Sequence, residues 1–483
     1  MHLQAVQRIL GLLLMVFSLT MLPPVLVSLI YDDHQAQAFL VSFLTLFLFG
    51  GLTWLPVRRN REDLRRRDGA LIVSLFWAGL GAVGALPLLL ASGLEISLTD
   101  AVFESISGLT TTGATVIVGL DDLPKSILFY RQLLQWLGGM GIIVLAVAIL
   151  PLLGVGGMQL YRAETPGPSK DNKLTPKITE TAKTLWMIYF GLTLACAVSY
   201  WLAGMTPFDA ISHSFSTIAI GGFSTHDLST GFFAGSMVEM VAIVFMFIAG
   251  ANFALHFMAV SRLGVTHYFR DPEFRTYLFL LTSLTILASL YLSWHEHFET
   301  AGETMIKASF QVVSIMTTTG FTTDDFSAWP GLLPVVLILS SFIGACANST
   351  GGGMKVIRWV LLLKQSQREV RRLIHPHAQF VTKMGNKPVS EKVVSAVWGF
   401  FSVYVGVFSL LMLLSMALGM DHVSAFSAVA ACLNNLGPGL GEVAANYQSV
   451  PAAAKWVLMF AMLLGRLEIF TLLVILTPAF WRK

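Results

Sequence analysis

Long apolar runs separated by short polar segments recur from one end of the chain to the other. They lie near residues 8–30, 36–57, 70–91, 126–153, 180–204, 236–261, 275–294, 331–363, 392–419 and 451–480. Each approaches or exceeds the roughly 20 apolar residues a helix needs to cross a hydrocarbon core. The pattern predicts ten transmembrane helices, the first interrupted by Pro23 and Pro24. The run from Ile9 to Ile30 is too long for a signal peptide and no small-x-small cleavage site follows it, so it is read as the first membrane helix. Ten crossings put both termini on one side.

A second pattern sits between pairs of runs. Four segments align without a gap: DAVFESISGLTTTG (100–113), DAISHSFSTIAIGG (209–222), KASFQVVSIMTTTG (307–320) and SAFSAVAACLNNLG (424–437). Alanine holds the second position in all four, and a small residue (Ser107, Ser216, Ser314, Ala431) lies six before the last glycine. The glycines are 109, 98 and 117 residues apart. This is an internal repeat. About ten helical residues cannot span a bilayer, and non-helical backbone at membrane depth survives only where it is buried in protein or lines a water-filled cavity. Four re-entrant half-helices around one axis would present backbone carbonyls to an ion in place of its hydration shell, with the negative ends of their dipoles favouring a cation below. The expected filter is Thr111, Thr112 and Gly113; Ile220, Gly221 and Gly222; Thr318, Thr319 and Gly320; Asn435, Leu436 and Gly437. Because carbonyls would do the selecting, Thr, Ile, Leu and Asn can share these positions.

Composition excludes the soluble alternatives. Of 483 residues, 55% are apolar and 12% charged, against about a quarter charged in globular domains, and the mean hydropathy is +0.71. Collagen, disorder and a disulfide scaffold are excluded on the same figures. Charge orients the chain. Arg58, Arg59, Arg61, Arg65, Arg66 and Arg67 follow the second run, and Lys170, Lys173 and Lys177 follow the fourth. Arg262, Arg270 and Arg275 follow the sixth; Lys364, Arg368, Arg371, Arg372, Lys383, Lys387 and Lys392 follow the eighth. All share the parity of the termini, which are therefore expected in the cytoplasm. The opposite side keeps Lys125, Arg131, Lys307 and Lys455 but carries Asp32, Asp33, Asp121, Asp122, Glu296, Glu299, Asp324 and Asp325. These carboxylates either concentrate cations at a mouth or simply solvate a rim.

The stretches SGLTTTGAT, YRQLLQWLGGMGIIVLAVAILP, AIGGFSTHD, STGGGMKVIR, LNNLGPGLG and GRLEIFTLL resemble the TrkH-type potassium uptake subunits of the Trk/Ktr/HKT superfamily, over essentially the full length. The resemblance implies an all-α polytopic protein of the bacterial inner membrane, in which one chain mimics a tetrameric potassium channel. Two N-terminal helices (1–69) would precede four pore repeats: 70–160, 161–265, 266–385 and 386–483. The cargo implied is K+, with Rb+ and Na+ as further candidates and no covalent cofactor beside K+ ions in the filter. A homodimer docked on a TrkA-type cytosolic ring that binds nucleotides is implied as well. All four glycines are present, yet IAIGG and LNNLG lack the triple Thr, so the filter is chemically uneven.

Within the eighth run, GACANSTGGG (344–353) carries three consecutive glycines, each costing a helix about 1 kcal/mol relative to Ala, so the helix should break there. The resemblance makes Asn348, Ser349, Thr350, Gly351, Gly352 and Gly353 an intramembrane gate loop; close helix packing through small residues is the alternative. Arg466, with Glu468 midway along the last run, should face protein or water and is expected to donate to carbonyls freed by that break. An Arg466–Glu468 pair is disfavoured, because residues two apart on a helix do not face each other.

The longest cytoplasmic segment, Lys364–Lys392, is too small for a nucleotide-binding domain, so nucleotide control would come from a separate protein docked there and on Arg58–Arg67. Those basic segments otherwise serve only to face lipid headgroups. Cys196, Cys346 and Cys432 read as buried thiols, His213 and His256 as hydrogen-bonded core residues, His375 and His377 as solvated, and Gly79–Gly84 as helix packing. Nothing points to nucleic acid or to a catalytic constellation. An ion-coupled symporter is the second reading, with Glu104 and Glu468 as the carboxylates nearest the midplane; a membrane-embedded enzyme ranks third.

Overall fold

The computed structural model describes residues 2–60, 62, 64–141, 178–233, 235–262, 264–385 and 387–482. Arg61, the expected helix beyond residue 141, Lys170, Lys173, Lys177 and the expected boundary between residues 160 and 161 lie outside the described residues.

The chain is a polytopic helical membrane protein. An N-terminal pair, α1 (Leu3–Ser18) continued by α2 (Leu22–Tyr31), packs against α3 (Ala36–Trp54). Then come α4 (Arg66–Val83), α5 (Leu86–Leu90), the short α6 (Leu98–Leu109) and α7 (Lys125–Gly139). The expected second repeat holds α8 (Ile178–Leu202), the short α9 (Pro207–Ala219), α10 (Ser236–Ala249) and α11 (Phe253–Arg262), and α12 (Thr266–Arg270) opens the expected third. The third has α13 (Pro272–Trp294), the short α14 (Ala301–Met316), α15 (Leu333–Ile343) and α16 (Val356–Ile374). A two-stranded antiparallel ladder, β1 (Lys383–Met384) with β2 (Lys387–Pro388), leads to the fourth: α17 (Glu391–Ala417), the short α18 (His422–Asn434), α19 (Ala452–Arg466) and α20 (Phe470–Leu476).

Among the described residues six helices are long and apolar enough to cross a membrane unbroken, and two bent pairs bring the number to eight. The eighth run breaks as expected, between Ile343 and Val356. Two other runs expected to be continuous are bent. The sixth turns by 94° between Ala249 and Phe253: Asn252 Oδ1 accepts from the Ala254 N–H (2.9 Å) and so starts a new helix. The tenth turns by 117° between Arg466 and Phe470, through Glu468 and Ile469 in left-handed conformation (φ 51° and 56°). Arg466 and Glu468 therefore lie at a break midway along the tenth run, at a helix end and not inside a continuous helix.

Candidate functional site

Each short helix opens on a cap. Ser97, Thr206 and Thr300 accept from the N–H groups of Asp100, Asp209 and Glu303, and Asp421 accepts from Val423 and Ser424. Ser97, Thr206 and Thr300 each precede their acidic residue by three, a capping signal visible in the sequence that the repeat alignment passed over. Each helix also ends the same way. The N–H of Thr112, Gly221, Thr319 and Leu436 donates to the carbonyl five residues back: Ser107 (2.9 Å), Ser216 (2.8 Å), Ser314 (2.7 Å) and Ala431 (2.8 Å). Those acceptors are the recurrent small residues of the repeat. The bond closes a Schellman-type end, which needs a left-handed residue in the turn. Thr111 (φ 56°), Ile220 (54°), Thr318 (69°) and Asn435 (55°) supply it, and the glycines two residues on are left-handed again (79°, 80°, 84° and 97°). A β-branched residue at positive φ is a genuine outlier, and strain of about 1–3 kcal/mol per residue concentrates at functional sites. Three such outliers in register are built, not accidental.

The four tips close a ring. A Cβ on Gly113 would collide with the Gly221 carbonyl, one on Gly222 with Thr319, and one on Gly320 with Leu436; one on Gly437 would stand 2.8 Å from the Thr112 carbonyl. Each glycine thus abuts the next repeat, and the fourth returns to the first. Side chains clasp every junction. Gln135 Nε2 donates to Gly221 O (2.6 Å) and its Oε1 accepts from the Phe223 N–H (3.0 Å), while Gln132 Nε2 donates to Phe223 O (3.0 Å). Lys307 meets Glu239 (2.6 Å), Asn434 Nδ2 donates to Ser341 Oγ (2.9 Å), and Lys455 meets Asp100 (2.6 Å).

Of the twelve expected filter carbonyls, two are taken by protein donors: Gly221 O by Gln135, and Gly437 O by the Tyr447 hydroxyl (2.7 Å). The other ten accept no N–H or O–H from the described residues. Buried carbonyls are nearly always paired, so such a cluster is suited to a cation or to water. Sequence reading missed Gln132, Gln135 and Tyr447; the signal was three polar side chains, Arg131, Gln132 and Gln135, within one apolar run.

Glu104 and Arg131, each 1% exposed, form an ion pair (2.8 Å). Glu104 also accepts from the Val116 N–H (2.9 Å) and Thr115 Oγ1 (3.0 Å), and Arg131 donates to Ser224 O (3.2 Å). Removing one partner of such a pair costs about 3–5 kcal/mol. Glu468 pairs with Arg358, which stacks on Phe400 (4.2 Å to the ring centroid). Both carboxylates considered for ion coupling are therefore held by arginines.

The break in the eighth run lies against the carboxyl ends of the short helices. Thr350 Oγ1 donates to Ile218 O (2.9 Å), the Gly352 N–H to Thr318 Oγ1 (2.7 Å), and the Gly353 N–H to Asn434 O (3.0 Å). A Cβ on Gly352 would collide with the Asn434 carbonyl. Asn348 O accepts from the Phe253 N–H (3.1 Å), Ser349 bonds within the loop to Cys346 O (2.6 Å), and Lys355 Nζ donates to Gly351 O. Arg466 donates to Thr350 O (3.4 Å) as expected, and also to Thr111 Oγ1 (3.3 Å), Gly139 O (3.0 Å) and Gly138 O. The loop and this arginine together touch all four repeats. Asn348, Ser349, Gly351 and Gly353 support the loop without bonding a filter residue.

Beside the second tip, His226 Nδ1 bonds Asp121 and its Nε2 lies 3.5 Å from Asp209 Oδ1. Burial opposes the imidazolium, but the carboxylates of Asp209 and Asp121 beside the ring outweigh it and raise the His226 pKa above 6.5. Burial likewise disfavours the Asp121 carboxylate, yet the His226 hydrogen bond holds its pKa below 3.8. A raised histidine pKa stabilises the fold below the unfolded value and loses that contribution as pH rises through the folded one. The gap in thermal midpoint between wild type and His226→Gln is thus expected to be widest near pH 5–6 and to close as pH rises past the raised value, measured by thermal melts across that range.

His213 bonds Asp209 O and Ser224 Oγ (2.9 Å each), and His256 bonds Tyr268 (2.6 Å) and Ile248 O (3.0 Å), as expected of core histidines. The three cysteines are free and buried. No cluster of His, Cys, Asp or Glu with metal-holding geometry occurs among the described residues.

The arrangement defines a multi-pass helical protein with four re-entrant half-helices meeting tip to tip. The chain belongs to the TrkH family of cation transport proteins, whose family model matches residues 35–483. Over the full length of both chains it is 59% identical to the Trk system potassium uptake protein TrkH of Vibrio parahaemolyticus and 56% identical to the protein of that name from Escherichia coli K12. The crystal structure of the potassium transporter TrkH from Vibrio parahaemolyticus superimposes with a TM-score of 0.91 at 57% identity, covering all of each chain.

Proposed function

We propose that the chain carries potassium inward across the bacterial inner membrane through a gated, channel-like pore, with both termini in the cytoplasm. The ring of ten carbonyls that accept from no donor among the described residues carries this reading: it offers a dehydrated cation oxygen ligands from all four repeats. The twelve tip residues from Thr111 to Gly437 form the filter. The relatives' names supply potassium as the cargo; the ring accounts for how a bare monovalent cation is held, with Rb+ and Na+ as competitors. One charge moving inward gains about 2.3 kcal/mol per 100 mV, so accumulation needs no hydrolysis in this chain.

The loop from Asn348 to Gly353 is the gate and Arg466 its lock. A guanidinium bonded to Thr111, Thr350 and Gly139 at once sets a positive charge and a plug on the path below the filter. Control comes from a TrkA-type cytosolic nucleotide-binding ring, beneath a homodimer of this chain. Arg371 in Lys364–Lys392 and Arg58 and Arg59 in Arg58–Arg67 are exposed, and both basic segments serve as the ring's docking surface.

Purified protein in planar bilayers under separate potassium, sodium and proton gradients is expected to reverse at a potential set by potassium. A fixed-stoichiometry dependence on sodium or protons would establish symport instead, a reading the arginine partners of Glu104 and Glu468 disfavour.

A further inference from the structure

We propose that Glu273 is a positioning residue that latches both ends of the intramembrane loop in its closed place; the inference rests on reading that loop as the gate. Glu273 lies in the first turn of α13 and is 5% exposed. A carboxylate there ordinarily serves the free N–H groups of its own helix. On α13 that task falls to Asp271, whose Oδ1 accepts from the Phe274 N–H (2.8 Å). Glu273 instead turns outward. Its Oε1 accepts from the N–H of Ala347 (2.7 Å), on the way into the loop, and from the N–H of Ile357 (3.2 Å), just after it.

The two donors explain why one oxygen suffices. Ile357 sits in the first turn of α16, where N–H groups have no partner within the helix, and the residue at the cap position, Lys355, makes no side-chain cap. Ala347 belongs to non-helical backbone and has no ladder to join. Without Glu273 both donors would be orphaned, Ala347 in a buried site and Ile357 in a half-buried one. The same atom fixes the span between residues 347 and 357, and so holds Thr350 and Gly352 up against Ile218 and Thr318. The latch also lies close to the basic segment at Lys364–Lys392. A Cβ on Gly385, in the turn of the β1–β2 ladder, would come within 3.2 Å of the Pro272 ring, next to Glu273 in the chain.

The test is single-channel recording of purified Glu273→Ala, Glu273→Asp and Glu273→Gln beside wild type and Arg466→Ala, reading open probability, unitary conductance and reversal potential. Alanine removes the acceptor and aspartate withdraws it by one methylene. Both are expected to raise open probability by about tenfold or more, with conductance and reversal potential unchanged. Glutamine keeps an oxygen at the same reach and is expected to stay near wild type. Should the alanine protein fail to fold, the contrast between aspartate and glutamine decides. Wild-type open probability in Glu273→Asp, with Arg466→Ala elevated, overturns the latch alone. Silence in both overturns the gate reading as well. A shift in conductance or reversal potential that tracks open probability also overturns the latch, because it marks a disturbed pore.

Discussion

Gly320→Ala is expected to lower potassium flux through reconstituted protein by about tenfold or more, with the residual current less selective for potassium over sodium. Gly320 has φ 84°, a region an L-residue enters only at a cost of about 1–3 kcal/mol. Its Cβ has nowhere to go: it would collide with Leu436 O and stand 2.8 Å from Pro438 Cδ. Relief requires moving the fourth tip, and Leu436 is tied by its N–H to Ala431 O (2.8 Å). The strain therefore falls on the carbonyls themselves. Flux into proteoliposomes under a set potential, with reversal potentials alongside, measures both effects. Wild-type flux and selectivity would remove Gly320 from the filter. Gly79→Ala, in a helix with open space at that position, is the matched control and is expected to change neither.

Arg466→Ala is expected to act in the opposite direction, raising basal flux by about tenfold in the absence of any cytosolic partner. Each hydrogen bond from a charged group contributes about 1.5–3 kcal/mol, and Arg466 holds the loop at Thr350 while bracing Thr111, Gly138 and Gly139. Its guanidinium also lies over the Trp77 ring (5.2 Å), so lysine cannot reproduce the fork and the stacking together. Lysine at 466 should therefore leave flux between wild type and alanine. Rubidium uptake into vesicles reads all three proteins. Unchanged or lower flux in well-folded Arg466→Ala would place the barrier elsewhere.

The tips were legible because their constraint is written in residue identity: only glycine tolerates φ near 80° against a neighbouring carbonyl, and four glycines in register cannot hide. The loop was legible for a similar reason, since three glycines in an apolar run contradict a helix. The bends at Asn252 and at Glu468 were not. Apolar residues continue on both sides of each, so hydropathy reads straight through, and a single capping Asn or a left-handed Glu–Ile pair leaves little trace in composition. Partners were harder still. Glu468 lies two residues from Arg466 in sequence and pairs with Arg358, 110 residues away; Arg131 was counted as a surface charge and turned out to neutralise Glu104 in the core. Ion pairs inside a membrane protein are set by which helices touch, and local spacing does not carry that information.

Carrying four repeats on one polypeptide removes a requirement that identical subunits impose. In a ring of four equal chains a gate element would occur four times, and opening would be a concerted event with its own cooperativity. Here GACANSTGGG occurs in one repeat; it meets the second at Ile218 O and the fourth at Asn434 O and Arg466, and Arg466 in turn ties it to Thr111 of the first. On the proposed reading of that loop as the gate, its release is the whole transition within one chain. Such a pore opens in one step, with no ladder of partly open levels, and its response to a regulator inherits whatever steepness the regulator has and adds none of its own.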